Sequence, residues 1–427
     1  MEEPAHNPSL KDKWIIDIES ELEKTSPISS SWSICKVPIN LRSVNEEAYT
    51  PRILSIGPIH HHQDKKFLRM EDHKRWYLNE LFTRAGKSNE ILGVFYDTIL
   101  NLDKDVRACY AEPIVYDKQE LAKILLYDAG FMLELFLRDS FPDSRKLDDP
   151  IFTTTWMIAP LLRDLALLEN QIPFFVLESL FKLIAPPETA GITTLNELAL
   201  NFFKPILNIK EEVFPAKCRQ NGIHLLHLLY NCYLPSNPRH SRNEEAWEFT
   251  HSATSLRRAG VEFEENSTND LLDLQFNNGT FKIPPLHIYD YTDSHFRNLM
   301  AFEQCQKDSK HYITSYIMVM DKLIDTTYDV ELLKRKGIIF NELGGGDDVS
   351  NMFNNICKEI VLKDFYFQEL CNNVNAYAKS PWPRNKAILS RKYFNNPWSI
   401  TSFVAAVALI LLTFLQTLYS MLSYHTS

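Results

Sequence analysis

Arg163–Leu183, RDLALLENQIPFFVLESLFKL, is the stretch whose reading decides the fold class, because so few of its positions tolerate water. Leu165, Leu167, Leu168, Ile172, Phe174, Phe175, Val176, Leu177, Leu180 and Phe181 spread around most of a helix circumference. The spacing predicts a helix wrapped by other helices, and hence a mainly α architecture. In its middle stand Glu169, Asn170, Gln171, Ile172 and Pro173. Pro173 has no N–H and frees the carbonyl of Glu169, so the expectation is a kink held by the polar trio. The functional alternative is a polar pocket wall inside an apolar core.

Outward from that centre, helical spacing recurs over Leu68–Phe82, Glu90–Tyr110, Lys118–Arg138, Gly222–Tyr233, Asp293–Gln306 and Tyr312–Thr326. Residues Ile34–His62 hold Pro38, Pro51 and Pro58 and read as extended chain with short strands. From Val261 the texture alternates, with Leu272, Leu274 and Phe276 before Asn278-Gly279 and Phe281 and Ile283 after it. Asn-Gly between alternating runs predicts a type I′ hairpin. The fold class is therefore mainly α (α+β): a large helical domain with a small antiparallel hairpin or sheet. Pro235–Glu245 reads as an exposed insertion, and Gly344–Asp348 as a loop capping the helix near Val349. That glycine run lacks the Gly-Lys-Ser/Thr of a phosphate loop.

Ile400–Leu422, ITSFVAAVALILLTFLQTLYSML, carries no charge and is long enough to cross a bilayer. Trp398, Tyr419 and Tyr424 flank it as interfacial aromatics, and Arg384, Lys386, Arg391 and Lys392 precede it. The positive-inside rule then predicts a C-terminal single-pass anchor, at the plasma membrane or an endomembrane, with the large domain in the cytosol. The expected organisation is a polar leader over 1–33 with a short amphipathic helix around Trp14–Leu22 and a globular domain over 34–395. A transmembrane helix over 399–422 and a tail over 423–427 complete it. The leader MEEPAHNPSLKDKW has no apolar core of a secretory signal peptide.

Composition sets the bounds. Of 427 residues, 45% are apolar and 12% aromatic with only 12 Gly, so the chain has material for a large core. A net charge of −10 argues against nucleic acid as a partner. Seven scattered cysteines without C-x-x-C spacing predict reduced thiols, with neither a disulfide framework nor a zinc site.

Several blocks recur in one known family. Val37-Pro38, Tyr49-Thr50-Pro51 and SIGPIHHH (Ser55–His62) are followed by Met70-Glu71 and Lys74. YDAGFMLELF (Tyr127–Phe136), DLALLENQIPFFVL (Asp164–Leu177), ATSLRRAGVEF (Ala253–Phe263), NLMAFEQC (Asn298–Cys305) and YFNNPW (Tyr393–Trp398) complete the set. On these the chain resembles the plant DUF247 proteins, also catalogued as UPF0481, from about Val37 to Leu418. Ile59, Gln63 and Ala129 depart from the usual pattern. The resemblance implies a mostly helical domain with a C-terminal transmembrane helix, and a role in recognition such as self-incompatibility or sex determination. It supplies no catalytic mechanism.

The motif residues it singles out are Gly57, Pro58, His60, His61, Asp128, Glu134, Glu169, Asn170, Gln171, Pro173, Asn298 and Glu303. Glu71, Glu169, Glu303 and His60 are the candidates for acid–base catalysis. Consecutive histidines in extended chain point to opposite faces, so His60-His61-His62 predicts a structural turn and no metal site. His224 and His227 fall on one helical face and predict packing. Glu71, Asp128, Glu134, Glu169 and Glu303 lie beside apolar runs, where an unpaired carboxylate is costly. Lys74, Arg163, Arg257, Arg258 and Arg297 are the expected counter-ions. A buried network that fixes how helices meet is one outcome, and an acid–base pocket for a small lipophilic metabolite is the other. No G-x-S-x-G, H-E-x-x-H or Rossmann fingerprint is present. The leading expectation is thus a membrane-anchored recognition or signalling protein with a protein partner and no cofactor. A membrane-associated enzyme of unfamiliar type is the alternative. Asn266 and Asn278 head formal glycosylation sequons.

Overall fold

Helical periods and turn residues organise the chain in the order the sequence predicts, with three local departures. The computed structural model describes residues 13–15, 17–19, 32–61, 65–86, 89–184, 194–207, 209–235, 249–268, 270–307, 309–381 and 397–426. Residues 13–15 and 17–19 of the leader are helical. His62 and most of the loop after Pro235 lie outside the described residues.

The first half runs through α1 (Ile39–Val44), α2 (Leu68–Arg84), α3 (Asn89–Asn101), α4 (Asp103–Ala108), α5 (Lys118–Ser140), α6 (Ile158–Leu165), α7 (Phe174–Ile184), α8 (Leu195–Leu207), α9 (Phe214–Lys217) and α10 (Leu225–Tyr233). Helix α5 is the axis of this half, with α2, α3, α4, α7 and α8 packed around it. Asp117 caps it through a reciprocal box with Glu120, and its buried residues run from Leu121 to Arg138. Gly130 lets α2 approach, since a Cβ there would stand 2.3 Å from Leu78.

The second half adds α11 (Ala253–Arg258), β1 (Glu262–Glu265), β2 (Gln275–Asn277), β3 (Thr280–Ile283), β4 (Leu286–Ile288), α12 (Thr292–Cys305), α13 (Tyr312–Leu323), α14 (Thr327–Arg335), β5 (Ile339–Asn341), α15 (Gly346–Ile356) and α16 (Gln368–Lys379). Asn278 and Gly279 join β2 to β3 with φ of 50° and 83°, the backbone of a type I′ turn. Strands β2 and β3 pair antiparallel as expected, but β1 joins β3 in parallel, so the sheet is mixed. Strands β4 and β5 form a second, parallel pair. Parallel pairing needs a crossover, which no local turn signal announces. Buried residues of both halves belong to one hydrophobic core.

The other two departures concern the segments that build the site. Arg163–Leu183 is two helices, α6 and α7, separated by irregular chain over 166–173, and α5 is the wrapped helix instead. Pro173 stands immediately before α7, where its missing N–H costs nothing, rather than inside a kink. Between Ile34 and His62, α1 and a 3-10 turn at Glu46–Tyr49 replace the expected strands, leaving one isolated bridge between Ile34 and Tyr110. The C-terminal helix α17 (Pro397–Thr426) contains Ile400–Met421, which is long and apolar enough to cross a membrane and is not buried in the body.

Candidate functional site

The irregular chain over 166–173 and the strap over 33–61 hold most of the sequence candidates, and they are built against each other. Helix α6 ends with four carbonyls lacking intrahelical partners, and the following side chains supply them. Gln171 Nε2 donates to the carbonyls of Leu165 and Leu167 at 2.8 Å, and Asn170 Nδ2 donates to that of Asp164 at 2.8 Å. The same two amides then reach outward. Asn170 Oδ1 accepts from Ile56 N at 2.7 Å, and Gln171 Oε1 accepts from Leu226 N at 3.0 Å. Asn298 on α12 closes the third side, its Oδ1 accepting from Leu168 N at 2.9 Å and its Nδ2 donating to Ala48 O at 2.9 Å.

Glu169 is tied to the strap. Its Oε1 accepts from Val37 N at 2.6 Å and pairs with Arg42 Nη2 at 2.6 Å, while its Oε2 stands 3.1 Å from His60 Nε2. Burial pushes the Glu169 pKa upward, but contact with His60, the Val37 N–H and Arg42 outweighs it, and the net shift is down. One turn earlier, Asp164 accepts from the backbone N–H groups of Arg52, Ile53 and Leu54 and from Arg163 Nη1. Three consecutive N–H groups on one carboxylate make a nest that fixes this part of the strap. Sequence reasoning missed Asp164 as a site residue. Its signal was an acid inside an otherwise apolar run.

Gly57 carries the strap past that loop. Its φ of +72° and the 2.5 Å that would separate a Cβ from Gln171 O both require glycine. Its N–H donates to Asp128 Oδ2 at 2.7 Å, and Asp128 Oδ1 pairs with Lys74 Nζ at 2.6 Å. Lys74, fully buried, also meets Glu71 Oε1 at 2.5 Å and donates to Ser55 O at 2.6 Å. Burial lifts the Asp128 pKa to about 6 against the pull of Lys74, while Asp128 and Glu71 hold Lys74 above its usual value despite burial. Two carboxylates thus share one ammonium.

Glu134 and Glu303 belong to separate networks. Glu134 binds Arg84 at 3.1 Å and Arg138 Nε at 2.7 Å. The Arg138 guanidinium also meets Asp149 and Glu80 and lies over the rings of Trp76 and Tyr77. Glu303 accepts from Ile313 N at 2.9 Å, Thr314 N at 2.8 Å, Thr314 Oγ1 at 2.6 Å and Tyr230 OH at 3.0 Å. It is the N-terminal cap of α13, supplied by α12, and burial raises its pKa against these donors. Among the expected counter-ions, only Lys74 serves a candidate carboxylate; Arg163 serves Asp164, Arg297 serves Asp293 and Arg257 serves Glu262.

Glu169 and Glu303 share no hydrogen-bond partner among the described residues, so the geometry does not join them in one acid–base pair. His61 packs edge-on against Tyr116, whose hydroxyl donates to His61 O at 2.9 Å. His224 is the N-cap of α10, its Nδ1 accepting from His227 N at 3.2 Å, and the rings of both histidines pack against Phe302. Asn266 is buried, with Nδ2 donating to Asp273 O at 2.6 Å, whereas Asn278 sits at the exposed hairpin tip. A glycan on folded Asn266 would break that bond, so Asn278 is the sequon the fold presents. Among the described residues, no three His, Cys, Asp or Glu side chains are grouped to hold a metal ion.

Comparison with known proteins agrees with this chain-wide pattern. A UPF0481 protein of Arabidopsis thaliana is 29% identical over 421 residues, covering 92% of this chain and 87% of its own. A putative UPF0481 protein of the same plant is 22% identical over 506 residues, covering 95% and 94%. No solved structure matches. The family DUF247, described as a plant protein of unknown function, matches residues 34–412, which takes in the strap, the polar loop, the mixed sheet and the first part of α17. The chain belongs to the DUF247 family of plant proteins.

Proposed function

We propose that this protein is a membrane-tethered recognition component whose body faces the cytosol and binds a protein partner, with reproductive recognition as the first setting to examine. The observation that carries the reading is where the buried acids spend their hydrogen bonds. Glu169 and Asp164 accept backbone N–H groups from segments more than a hundred residues away and Glu303 accepts those that open the next helix, α13, which makes all three parts of the scaffold. Function then belongs to the surface that scaffold holds in shape, and α17 supplies the tether. Basic residues before the span favour a cytosolic body.

Part of that surface is apolar. Ile39 on α1 is 78% exposed and Val361 is 69% exposed. Their segments are joined by Asn40 Nδ2 donating to Glu359 O at 3.4 Å. Crosslinking and purification of the full chain from plant membranes tests the reading, with Ile39→Asp as comparison. The expected result is a reproducible partner recovered with the native chain and reduced roughly tenfold by the variant, as loss of one central interface contact does. Recovery of no reproducible partner from any expressing tissue contradicts it.

A further inference from the structure

A cavity of about 110 Å³ lies between the end of α8, the chain leading into β4 and the start of α12. Its wall is aromatic and aliphatic, with Leu207, Tyr233, Leu286, Tyr291 and Phe296 among the lining residues. Thr268, His287, Thr292, His295 and Lys210 bring polar groups into that wall, beside the tyrosine hydroxyls. His295, 5% exposed, lines the buried side, and Lys210, exposed, lies at the solvent side.

The His295 ring has one nitrogen engaged. Tyr233 OH lies 2.9 Å from His295 Nε2, and burial lowers the imidazole pKa to about 3, so the ring is neutral. Either the phenol or Nε2 donates in that contact, according to the tautomer. The ring's Nδ1 is buried and has no hydrogen-bond partner. A buried ring nitrogen left unmatched is costly, and a hydroxyl in the cavity that His295 lines answers either tautomer, since it both donates and accepts. Charge discriminates further. Lys210 is the one charged residue lining the cavity among the described residues, and no carboxylate lines it, in a chain whose net charge is −10. Lys210 Nζ spends one proton on Ser267 O at 2.8 Å and keeps others for a second acceptor.

We infer that this cavity binds a small planar hydroxyaryl carboxylate. The ring fills the aromatic wall, its hydroxyl pairs with His295 Nδ1 at the floor, and the carboxylate stays at the wet rim beside Lys210. The reverse orientation would bury the anion away from its cation, at greater desolvation cost. At about 110 Å³ the cavity is smaller than the roughly 150 Å³ that accepts benzene, so it encloses the ring at most and leaves the carboxylate in the open mouth. This site is independent of the partner-binding surface and needs no chemical step.

The test is ligand-observed NMR and calorimetry on the full chain in detergent with 4-hydroxybenzoate, benzoate and 4-hydroxybenzamide. The native chain is expected to bind 4-hydroxybenzoate saturably and about tenfold more tightly than benzoate, which lacks the floor hydroxyl. Lys210→Gln, at an exposed position, is expected to weaken 4-hydroxybenzoate roughly threefold to tenfold and leave 4-hydroxybenzamide unchanged. Absence of saturable binding to the native chain overturns the inference, leaving a cavity for solvent only. Equal loss of acid and amide in Lys210→Gln, or no loss of either, overturns the assigned orientation and with it the anion preference.

Discussion

Replacing Glu169 by Gln tests how the strap is held. Glu169 joins Val37 N at 2.6 Å, Arg42 at 2.6 Å and faces His60 at 3.1 Å. Gln keeps one acceptor for Val37 but removes the charge that strengthens this hydrogen bond and pairs with Arg42. Charge-assisted bonds are roughly twice as strong as neutral ones, and a bond to a charged group contributes about 1.5–3 kcal/mol. Arg42 is 19% exposed and recovers part of its loss in water, so the net local cost is about 1.5–2.5 kcal/mol. That corresponds to roughly 10- to 60-fold more frequent opening of the strap. Hydrogen exchange of the full chain, read on peptides covering 34–60, measures it directly. Exchange in that segment should accelerate by this factor while α5 keeps its native protection. Unchanged exchange over the strap refutes the clasp and returns Glu169 to the list of acids available for chemistry.

Further outcomes follow from the same geometry. Gly57→Ala places a Cβ 2.5 Å from Gln171 O at a φ of +72°, so it should cost about 2–4 kcal/mol and lower the thermal midpoint of the purified chain. Acid should destabilise the body well above the usual carboxylate range. His224, His227 and His295 have pKa values lowered by burial to about 3, 4 and 3. Their contribution is fully present above an unfolded pKa near 6.5 and is lost as pH falls toward the folded values, about 2 kcal/mol each by pH 5. Asp128 acts in the opposite sense, since its folded pKa is raised to about 6 and its protonation favours the fold as pH drops. Asp139, Asp164, Asp293 and Glu303, also raised by burial, act in the same sense as Asp128, which gains roughly 1 kcal/mol by pH 5 against about 2 kcal/mol lost at each imidazole. Denaturation of the native chain and of His227→Gln at pH 7 and pH 5 reads the imidazole share, and an equal change in the two chains contradicts it.

What was legible in the sequence was local. Asn278-Gly279 announced its turn because both residues tolerate positive φ, and α5 announced itself through its spacing and the Asp117–Glu120 box. Ile400–Met421 needed only length and composition. The misread features are those set by distant neighbours. The helix period of Arg163–Leu183 continues across 166–173, but side-chain bonds to Leu54 and Ile56, more than a hundred residues earlier in the chain, favour an irregular turn. Glu169 was visible as a buried acid, yet Val37 lies 132 residues away and no spacing rule connects them. Strand β1 gave its pattern but not its direction, since parallel pairing is decided by the crossover. Asp164 and Asp149 were passed over because a single acid near apolar residues has the same appearance whether solvated or gripped.

Membrane topology is the most direct test of the account's central claim, a tethered body facing the cytosol. Asn278, at the exposed hairpin tip, is the reporter, because Asn266 is turned inward onto Asp273. The full chain expressed in plant cells should run unchanged after glycosidase digestion, and its body should be cleaved by protease added to intact membranes. A glycan on Asn278 with a protease-protected body would contradict the account and place the recognition surface on the opposite face of the membrane.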